Sequence, residues 1–182
     1  MRILLLIITL GLTLNGYTQV LVSYDKAEDA DFSRYKTYRI YKLDVTTMPE
    51  FQPREEGLNH LIKAISDQMN LRGLTFTKDD PDLVINLGIT ISEETQTRET
   101  TIRDAPSYIG QRNYHWEAQE VVVGVYKAGT VVMDVVDQEK NEMVWQGVVR
   151  GVISEKKPEK NQKKIDKGVE KLFKKFPITP NI

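Results

Sequence analysis

Apolar residues recur with the period of an α-helix in two stretches of the chain. Between residues 56 and 72 they occupy the i, i+3, i+4, i+7 and i+11 positions, which are held by Leu58, Leu61, Ile62, Ile65 and Met69. Between residues 158 and 176 a similar stripe consists of Ile165, Val169, Leu172, Phe173 and Phe176. Residues at these spacings share one face of a helix. The sequence therefore predicts two amphipathic helices, one that ends at Gly73 and one that ends before Pro177.

Seven further segments have the pattern of β-strands, because apolar and polar residues alternate in them or β-branched residues form short runs. Within one of them, Ile85, Leu87, Ile89 and Ile91 face one side, and polar residues or glycine face the other. The predicted strands are residues 20–24, 37–43, 74–77, 83–93, 119–126, 130–137 and 143–153. Short polar stretches predict hairpin turns at residues 127–129 and 137–142, which would join the last three strands into an antiparallel meander.

Two helices among these strands predict an α+β fold. The economical arrangement is an antiparallel β-sheet with the two amphipathic helices packed on one face. We expect six residues of the helical stripes to cover that face: Leu61, Ile65, Met69, Val169, Leu172 and Phe173. The length that remains after the N-terminal segment, roughly 160 residues, suits a single domain.

The N-terminal segment has the three-part pattern of a secretory signal peptide: a positively charged start, an apolar run over residues 3–14, and a small, polar end. The apolar run would rise only about 18 Å as a helix, short of the roughly 30 Å core of a bilayer, so a membrane span is the weaker interpretation. Gly16 and Thr18 match the small residues that precede a cleavage site, which predicts cleavage after Thr18. We therefore expect residues 1–18 to be a signal peptide, and the envelope domain, residues 19–182, to be periplasmic or secreted.

Composition adds two constraints. The chain has no cysteine, so disulfides and thiolate metal sites are excluded, and we expect the mature protein to be soluble and not a lipoprotein, which would need an acylated cysteine. The formal net charge is -1 at pH 7, which gives no overall attraction to nucleic acid.

One long polar segment, residues 95–118, differs from the rest of the chain. It contains Tyr108, Tyr114, His115 and Trp116, whose rings could stack on a ligand or partner. Loops of this length are usually functional or disordered. Three interpretations stay open for these residues: they bury themselves on the sheet, they contact a ligand or partner, or His115 serves in catalysis.

No constellation of residues indicates catalysis or metal binding. Asp79, Asp80 and Asp82 are close in sequence but lack the spacing, the turning glycine and the distal acid of a calcium loop, so a polar turn is the better interpretation. His60 is predicted to face solvent on the first helix. The sequence contains no nucleophile elbow, phosphate-binding glycine loop or dinucleotide fingerprint. We therefore predict no catalytic residue, no bound metal and no cofactor.

The last predicted helix has an excess of lysine on the face opposite its apolar stripe. Lys160, Lys164, Lys167 and Lys171 are candidates for weak contact with an anionic membrane surface or with an acidic envelope polymer. A face that is merely solvated is the alternative. An unknown envelope protein is a further candidate partner, and we expect no nucleic acid outside the cytoplasm.

Several short motifs occur in an order that resembles a known family. They are Asp31-Phe32-Ser33-Arg34-Tyr35-Lys36-Thr37-Tyr38, Arg72-Gly73-Leu74, Asp80-Pro81-Asp82-Leu83, the segment from Gly129 to Asp137, Val144-Trp145-Gln146-Gly147, and the segment from Phe173 to Pro177. In this order they resemble the domain of unknown function 4136 family of Gram-negative envelope proteins, from Val20 to Ile178.

The resemblance implies an exported envelope protein. Many members of that family look like lipoproteins, and this chain departs from them because it lacks the acylated cysteine. The family has no agreed activity, so no catalytic residue is carried over. Together with the residues themselves, the resemblance indicates a non-catalytic binding or structural module of the periplasm. The alternative is a hydrolase or another enzyme that uses the loop at residues 95–118.

Overall fold

The fold is given by a computed structural model, which describes residues 20–49, 53–107, 115–154 and 157–181. Its helices and strands, in chain order, are β1 (Leu21–Lys26), β2 (Thr37–Thr46), α1 (Glu55–Asn70), β3 (Thr75–Phe76), β4 (Leu83–Glu99), β5 (Glu120–Asp137), β6 (Glu142–Ile153) and α2 (Pro158–Phe173). A short 3-10 helix, Phe32–Arg34, precedes β2. The predicted signal peptide, its cleavage site, Tyr108 and Tyr114 lie outside the described residues.

The strands form one mixed sheet in the order β1-β6-β5-β4-β2-β3. β2 is parallel to both β3 and β4, and the other neighbouring strands are antiparallel. The prediction of an α+β fold is confirmed, whereas the prediction of a wholly antiparallel sheet is wrong. The physical reason is the position of α1, which follows β2 in the chain, because a helical crossover of this kind returns the chain to begin a parallel strand.

β5 is one continuous strand of 18 residues, so the hairpin turn predicted at residues 127–129 is wrong. Gly129, the last residue of that predicted turn, pairs with Ile91 on one side and Gly151 on the other. The glycine follows from packing, because a Cβ at Gly129 would lie 2.8 Å from Ile153 Cδ1. The second predicted turn is confirmed at residues 138–141, and the sheet contains an antiparallel meander made of β4, β5 and β6.

β4 and β5 extend beyond their neighbours as a two-stranded ribbon. β2 pairs with β4 only as far as Thr90, and β6 pairs with β5 only from Lys127 onward. The pairing between β4 and β5 continues to Glu99 and Glu120. The loop predicted at residues 95–118 is therefore shorter than predicted, because its first five residues belong to β4.

Both helices pack beside each other on the same face of the sheet. The β4 residues that point to this face are buried, among them Leu83, Ile85 and Leu87. The six helix residues predicted to cover the sheet all belong to the same buried cluster. Phe176, just after α2, packs edge to face on Trp145 of β6, with ring centroids 5.1 Å apart. In the part of the chain that the structure describes, no helix is long and apolar enough to cross a bilayer.

Candidate ligand-binding site

A cavity lies between the sheet and the faces of the two helices that pack on it. Its volume is about 370 Å³, and ligand pockets typically occupy about 300–1,000 Å³. Its walls are aliphatic, with contributions from α1, β4, β5 and α2 such as Leu61, Ile65, Ile89, Val131, Ile165 and Leu172. Apolar cavities stay dry and take up apolar molecules. The chemistry of these walls therefore favours an aliphatic ligand.

Two glycines keep space open in this cavity, one on the helix side and one on the sheet side. Gly57 belongs to α1 and Gly151 belongs to β6, and both line the cavity. A Cβ added at either position would meet no atom within 4 Å. Glycine inside a helix or strand costs roughly 0.5–1 kcal/mol relative to alanine. A methyl group would therefore fit at both positions, and glycine leaves that space unfilled.

Polar side chains line the end of the cavity at which both helices begin. This end, the mouth of the cavity, is formed by Arg54, Glu56, Asn161, Gln162 and Lys164. Arg54 and Glu56 are exposed, so the cavity meets the solvent here. Gln162 Nε2 donates a hydrogen bond to Glu56 Oε1 at 2.8 Å and so joins the two helices. Asn161 Oδ1 accepts a hydrogen bond from the N–H of Ser154 at 2.9 Å, which fixes the end of β6 to α2.

Lys164 is a half-buried cation in the mouth. Its Nζ donates a hydrogen bond to the carbonyl oxygen of Val152 at 2.8 Å. Burial lowers the pKa of Lys164, and the positive charge of Lys160 lowers it further. No carboxylate among the described residues forms an ion pair with this ammonium group. Among the described residues, the partner of this positive charge is therefore a neutral carbonyl group and not a carboxylate.

A second, polar cavity of about 400 Å³ lies near the start of β4 and the end of β5, with Arg34, Asp80, Asp82, Asp137 and Glu139 in its lining. Asp82 accepts hydrogen bonds from the N–H groups of Lys36 and Thr37, at 2.7 and 2.8 Å. Burial opposes ionisation of Asp82, but these hydrogen bonds outweigh it and lower its pKa. Over the described ranges, no group of three or more His, Cys, Asp or Glu residues is placed to hold a metal ion. The hydrogen bonds of Asp82 join the start of β4 to the start of β2.

Asp137 is the most enclosed of these carboxylates, with 1% of its surface exposed. It accepts hydrogen bonds from the Tyr35 hydroxyl at 2.8 Å and from the N–H groups of Glu139 and Lys140 at 3.0 and 3.1 Å. Burial alone would raise the pKa of Asp137, but these hydrogen bonds and the charge of Arg34 outweigh burial and lower it. Burial and the bond to Asp137 raise the pKa of Tyr35 to about 12. The pair is thus held as ionised aspartate and neutral tyrosine.

The loop residues predicted to contact a ligand are only partly described. His115 Nε2 lies 2.9 Å from Glu117 Oε1, but 81% and 77% of these two side chains are exposed. Trp116 is half-buried. Neither residue lines either of the two cavities described above. Ligand contact by this loop stays a prediction.

His60 contacts the second helix, although the sequence predicts that it faces solvent. Its Nε2 lies 2.7 Å from Asp166 Oδ1 of α2, and 28% of its side chain is exposed. The pattern of α1 alone could not reveal this, because the partner is 106 residues away in the chain. The contact joins the two helices beside the cavity.

The four lysines predicted to contact an anionic surface occupy two environments. Lys160, Lys167 and Lys171 are exposed, whereas Lys164 is half-buried and lines the cavity. The cavity itself was missed by the sequence analysis. The available signal was glycine inside regular elements, at Gly57 and Gly151, because an interior glycine often marks a close approach of a ligand or of another backbone.

The fold and the cavity define an α+β domain with a candidate site for an aliphatic ligand. The family model described as Domain of unknown function (DUF4136) matches residues 20–178. The chain belongs to this family, which confirms the resemblance found in the sequence. A search of curated proteins gives no match.

Solved structures are similar to this chain at low sequence identity. A PDZ domain protein from Parabacteroides distasonis is 12% identical with a TM-score of 0.52, over 90% of this chain and 37% of that one, so this chain spans well under half of that protein. The PelC dodecamer from Paraburkholderia phytofirmans is 8% identical with a TM-score of 0.48, over 90% of this chain and 100% of that one. A minor lipoprotein from Acinetobacter baumannii is 9% identical with a TM-score of 0.33, over 77% and 91% of the two chains. The first similarity shows the fold alone, and the other two are too distant to support an argument.

Proposed function

We propose that this domain is a non-catalytic binding module of the bacterial envelope, which holds the aliphatic chain of a lipid-like ligand between its helices and its sheet. The observation that carries the proposal is the aliphatic cavity of about 370 Å³ with its polar mouth. Elements that pack together normally fill the space between them with their own side chains, and here that space stays open. Apolar walls with a few polar groups at one end are the usual form of a small-molecule site.

The envelope location rests on the sequence and on the family. A signal peptide at residues 1–18, cleaved after Thr18, would release the domain into the periplasm or the medium. The family resemblance also implies an envelope protein. In that compartment, lipid acyl chains are an abundant source of aliphatic ligands.

The residues that line the cavity support binding rather than catalysis. None of the described lining residues is a histidine, and the carboxylate of Glu56 is bonded to Gln162. Hydrolysis by a protein nucleophile needs a base beside that nucleophile. The alternative, a hydrolase that uses the loop at residues 95–118, is favoured by the contact between His115 and Glu117. Both side chains are exposed to solvent, so this contact is not part of an enclosed site that could hold a substrate.

Filling the cavity tests the proposal. The purified protein is titrated with N-phenylnaphthylamine, a neutral apolar dye whose fluorescence rises when it leaves water, and the dye is then displaced with dodecanol. We expect the wild type to bind the dye and to release it to dodecanol. Gly151→Leu places a side chain in the cavity, so we expect dye affinity to fall at least about tenfold, which equals about 1.4 kcal/mol. Urea unfolding should show that this variant is at least as stable as the wild type.

Gly124→Leu is the matched control for this experiment. Gly124 also lies in a strand, it does not line the cavity, and the nearest atom to its added Cβ is Gln96 Oε1 at 3.9 Å. This variant should bind the dye as the wild type does. Equal binding by the wild type and Gly151→Leu, or no binding by the wild type, would contradict the proposal.

A further inference from the structure

We infer that the ligand is an anionic amphiphile, and that Lys164, assisted by Arg54, binds its charged head at the mouth while its chain fills the cavity. The inference rests on the proposed function and adds the chemical class of the head group. The observation behind it is a half-buried lysine in the lining of an aliphatic cavity, whose ammonium group has a carbonyl oxygen rather than a carboxylate as its partner among the described residues.

The surroundings of Lys164 leave its charge incompletely compensated. An ammonium group has three N–H donors, and the hydrogen bond to Val152 uses one of them. Removing a charge from water is costly unless an opposite charge faces it. Burial lowers the pKa of Lys164, which is the direction expected for a desolvated cation without a counter-ion. A carboxylate or phosphate group on the ligand would supply that counter-ion.

The other charges of the mouth favour the same head group. Arg54 is a second cation in the lining, and it is exposed at the start of α1. Glu56 has the opposite charge, but its carboxylate already accepts a hydrogen bond from Gln162. Lys160 lies one helical turn before Lys164 and adds positive charge close to it. Among the described residues, the lining thus presents two cations and one carboxylate that is already hydrogen-bonded to Gln162.

The shape of the cavity sets the orientation of such a ligand. Lys164 and Leu172 both line the cavity, and they are about 12 Å apart along the helix axis at about 1.5 Å per residue. An aliphatic ligand chain that runs from Lys164 toward Leu172 stays beside Ile165 and Val169, which also line the cavity. The head then remains at the solvent-facing mouth, where a charged group keeps part of its hydration.

Three ligands with one chain length and different heads test the inference: dodecanoate, dodecyl phosphate and dodecanol. Each displaces N-phenylnaphthylamine from the purified protein at pH 7 and low salt, below its micelle-forming concentration. We expect the wild type to bind at least one of the anions about tenfold more tightly than dodecanol, a factor that corresponds to about 1.4 kcal/mol. In Lys164→Met the ratio of anion affinity to dodecanol affinity should fall to about twofold, because methionine keeps an apolar side chain at this position and removes the charge.

Lys171→Met is the matched control, because Lys171 is an exposed lysine on the same helix and does not line the cavity. Lys171→Met should keep the wild-type preference for the anions over dodecanol. If Lys164→Met does not fold, Lys164→Gln and Arg54→Gln provide the same test. Equal affinity of the wild type for all three ligands would overturn the inference and leave the proposed function intact. Binding of none of them would overturn both. Tighter binding of dodecyl phosphate than of dodecanoate would identify a phosphate head, and the reverse would identify a carboxylate.

Discussion

Asp137 shows how a single buried side chain joins distant parts of this chain. Its carboxylate accepts hydrogen bonds from the Tyr35 hydroxyl and from the N–H groups of Glu139 and Lys140. The segment before β2 is thereby attached to the turn after β5. A buried carboxylate is stable in its ionised form only when such donors surround it, so the pair of Tyr35 and Asp137 should respond to pH in both directions.

Asp137→Asn is expected to lower the free energy of unfolding by about 1–3 kcal/mol at pH 7, because the charge-assisted hydrogen bonds are lost. The pKa of Asp137 is lower in the folded protein than its ordinary value of 3.8. The ionised group therefore stabilises the fold above that value, and the stabilisation disappears as the pH falls through the lowered pKa. The loss of unfolding free energy caused by Asp137→Asn should shrink as the pH falls below 3.8 in urea unfolding. Asp29→Asn, which changes an exposed carboxylate, is the control and should have little effect on stability. A difference in unfolding free energy between the wild type and Asp137→Asn that does not change with pH would contradict the assignment.

Tyr35→Phe tests the alkaline side of the same pair. The pKa of Tyr35 is raised from 10.0 to about 12 in the fold. The neutral hydroxyl therefore stabilises the folded protein fully below pH 10, and this contribution is lost as the pH rises through about 12, with an upper limit of about 2.7 kcal/mol for two pKa units. Urea unfolding at pH 9 and pH 11.5 should show a larger loss of stability for the wild type than for the variant. Equal losses of stability in the wild type and Tyr35→Phe would contradict this assignment. Tyr24→Phe, which changes an exposed tyrosine, is the control and should lose as much stability as the wild type.

The helices and strands show which features a sequence pattern can predict. Both helices were predicted because their apolar stripes coincide with the buried face, and α1 and α2 lie close to the predicted ranges. The alternation of apolar and polar residues in β4 predicted which of its side chains are buried. The same pattern does not show whether a neighbouring strand is parallel or antiparallel, so the parallel pairing of β2 with β4 was not predicted. The turn at Gly129 was a false prediction, because the reason for that glycine is Ile153, which is distant in the sequence.

Gly147 of β6 is expected to tolerate no side chain. An added Cβ would collide with the Trp145 ring and lie 2.6 Å from Leu172 Cδ1 of α2. Gly147→Ala should therefore lower the free energy of unfolding by about 1–3 kcal/mol, because the close-packed core must shift. Gly88→Ala is the control, since the added Cβ meets Val132 Cβ at an ordinary 3.8 Å. Equal stability of the two variants in urea unfolding would show that α2 does not pack closely on Gly147.

In the whole molecule, the core is packed unevenly from one end to the other. Aromatic rings pack together at one end, where Phe176 contacts Phe32, Trp145 and Phe173. At the other end the described lining of the cavity contains aliphatic residues and glycine but no aromatic ring. Sequence patterns report which face of an element is buried but not the distance between packed elements. The cavity could therefore not be predicted. Of the predicted site residues that the structure describes, only Lys164 lines it.

The exposed lysines of α2 carry a separate prediction for the whole protein. Lys160, Lys167 and Lys171 should give weak, reversible adhesion to anionic membranes, at about 1 kcal/mol or less per residue, with screening over roughly 8 Å at physiological salt. Sedimentation with anionic vesicles at low salt should recover the wild type, and high salt or neutral vesicles should not. Replacement of the three lysines by glutamine should abolish the adhesion. Equal recovery with both kinds of vesicle, or none with anionic vesicles at low salt, would show that the lysines form only a solvated face.

The most direct test of ligand binding in the cavity is to identify the molecules that stay bound when the protein is purified from the envelope of cells that express it. Organic extraction followed by mass spectrometry identifies any retained lipid-like molecule. We predict that the wild type and Gly124→Leu carry a ligand with an aliphatic chain and that Gly151→Leu, in which the cavity is filled, carries none. A wild type without such a ligand, or equal amounts in all three proteins, would contradict the proposed function.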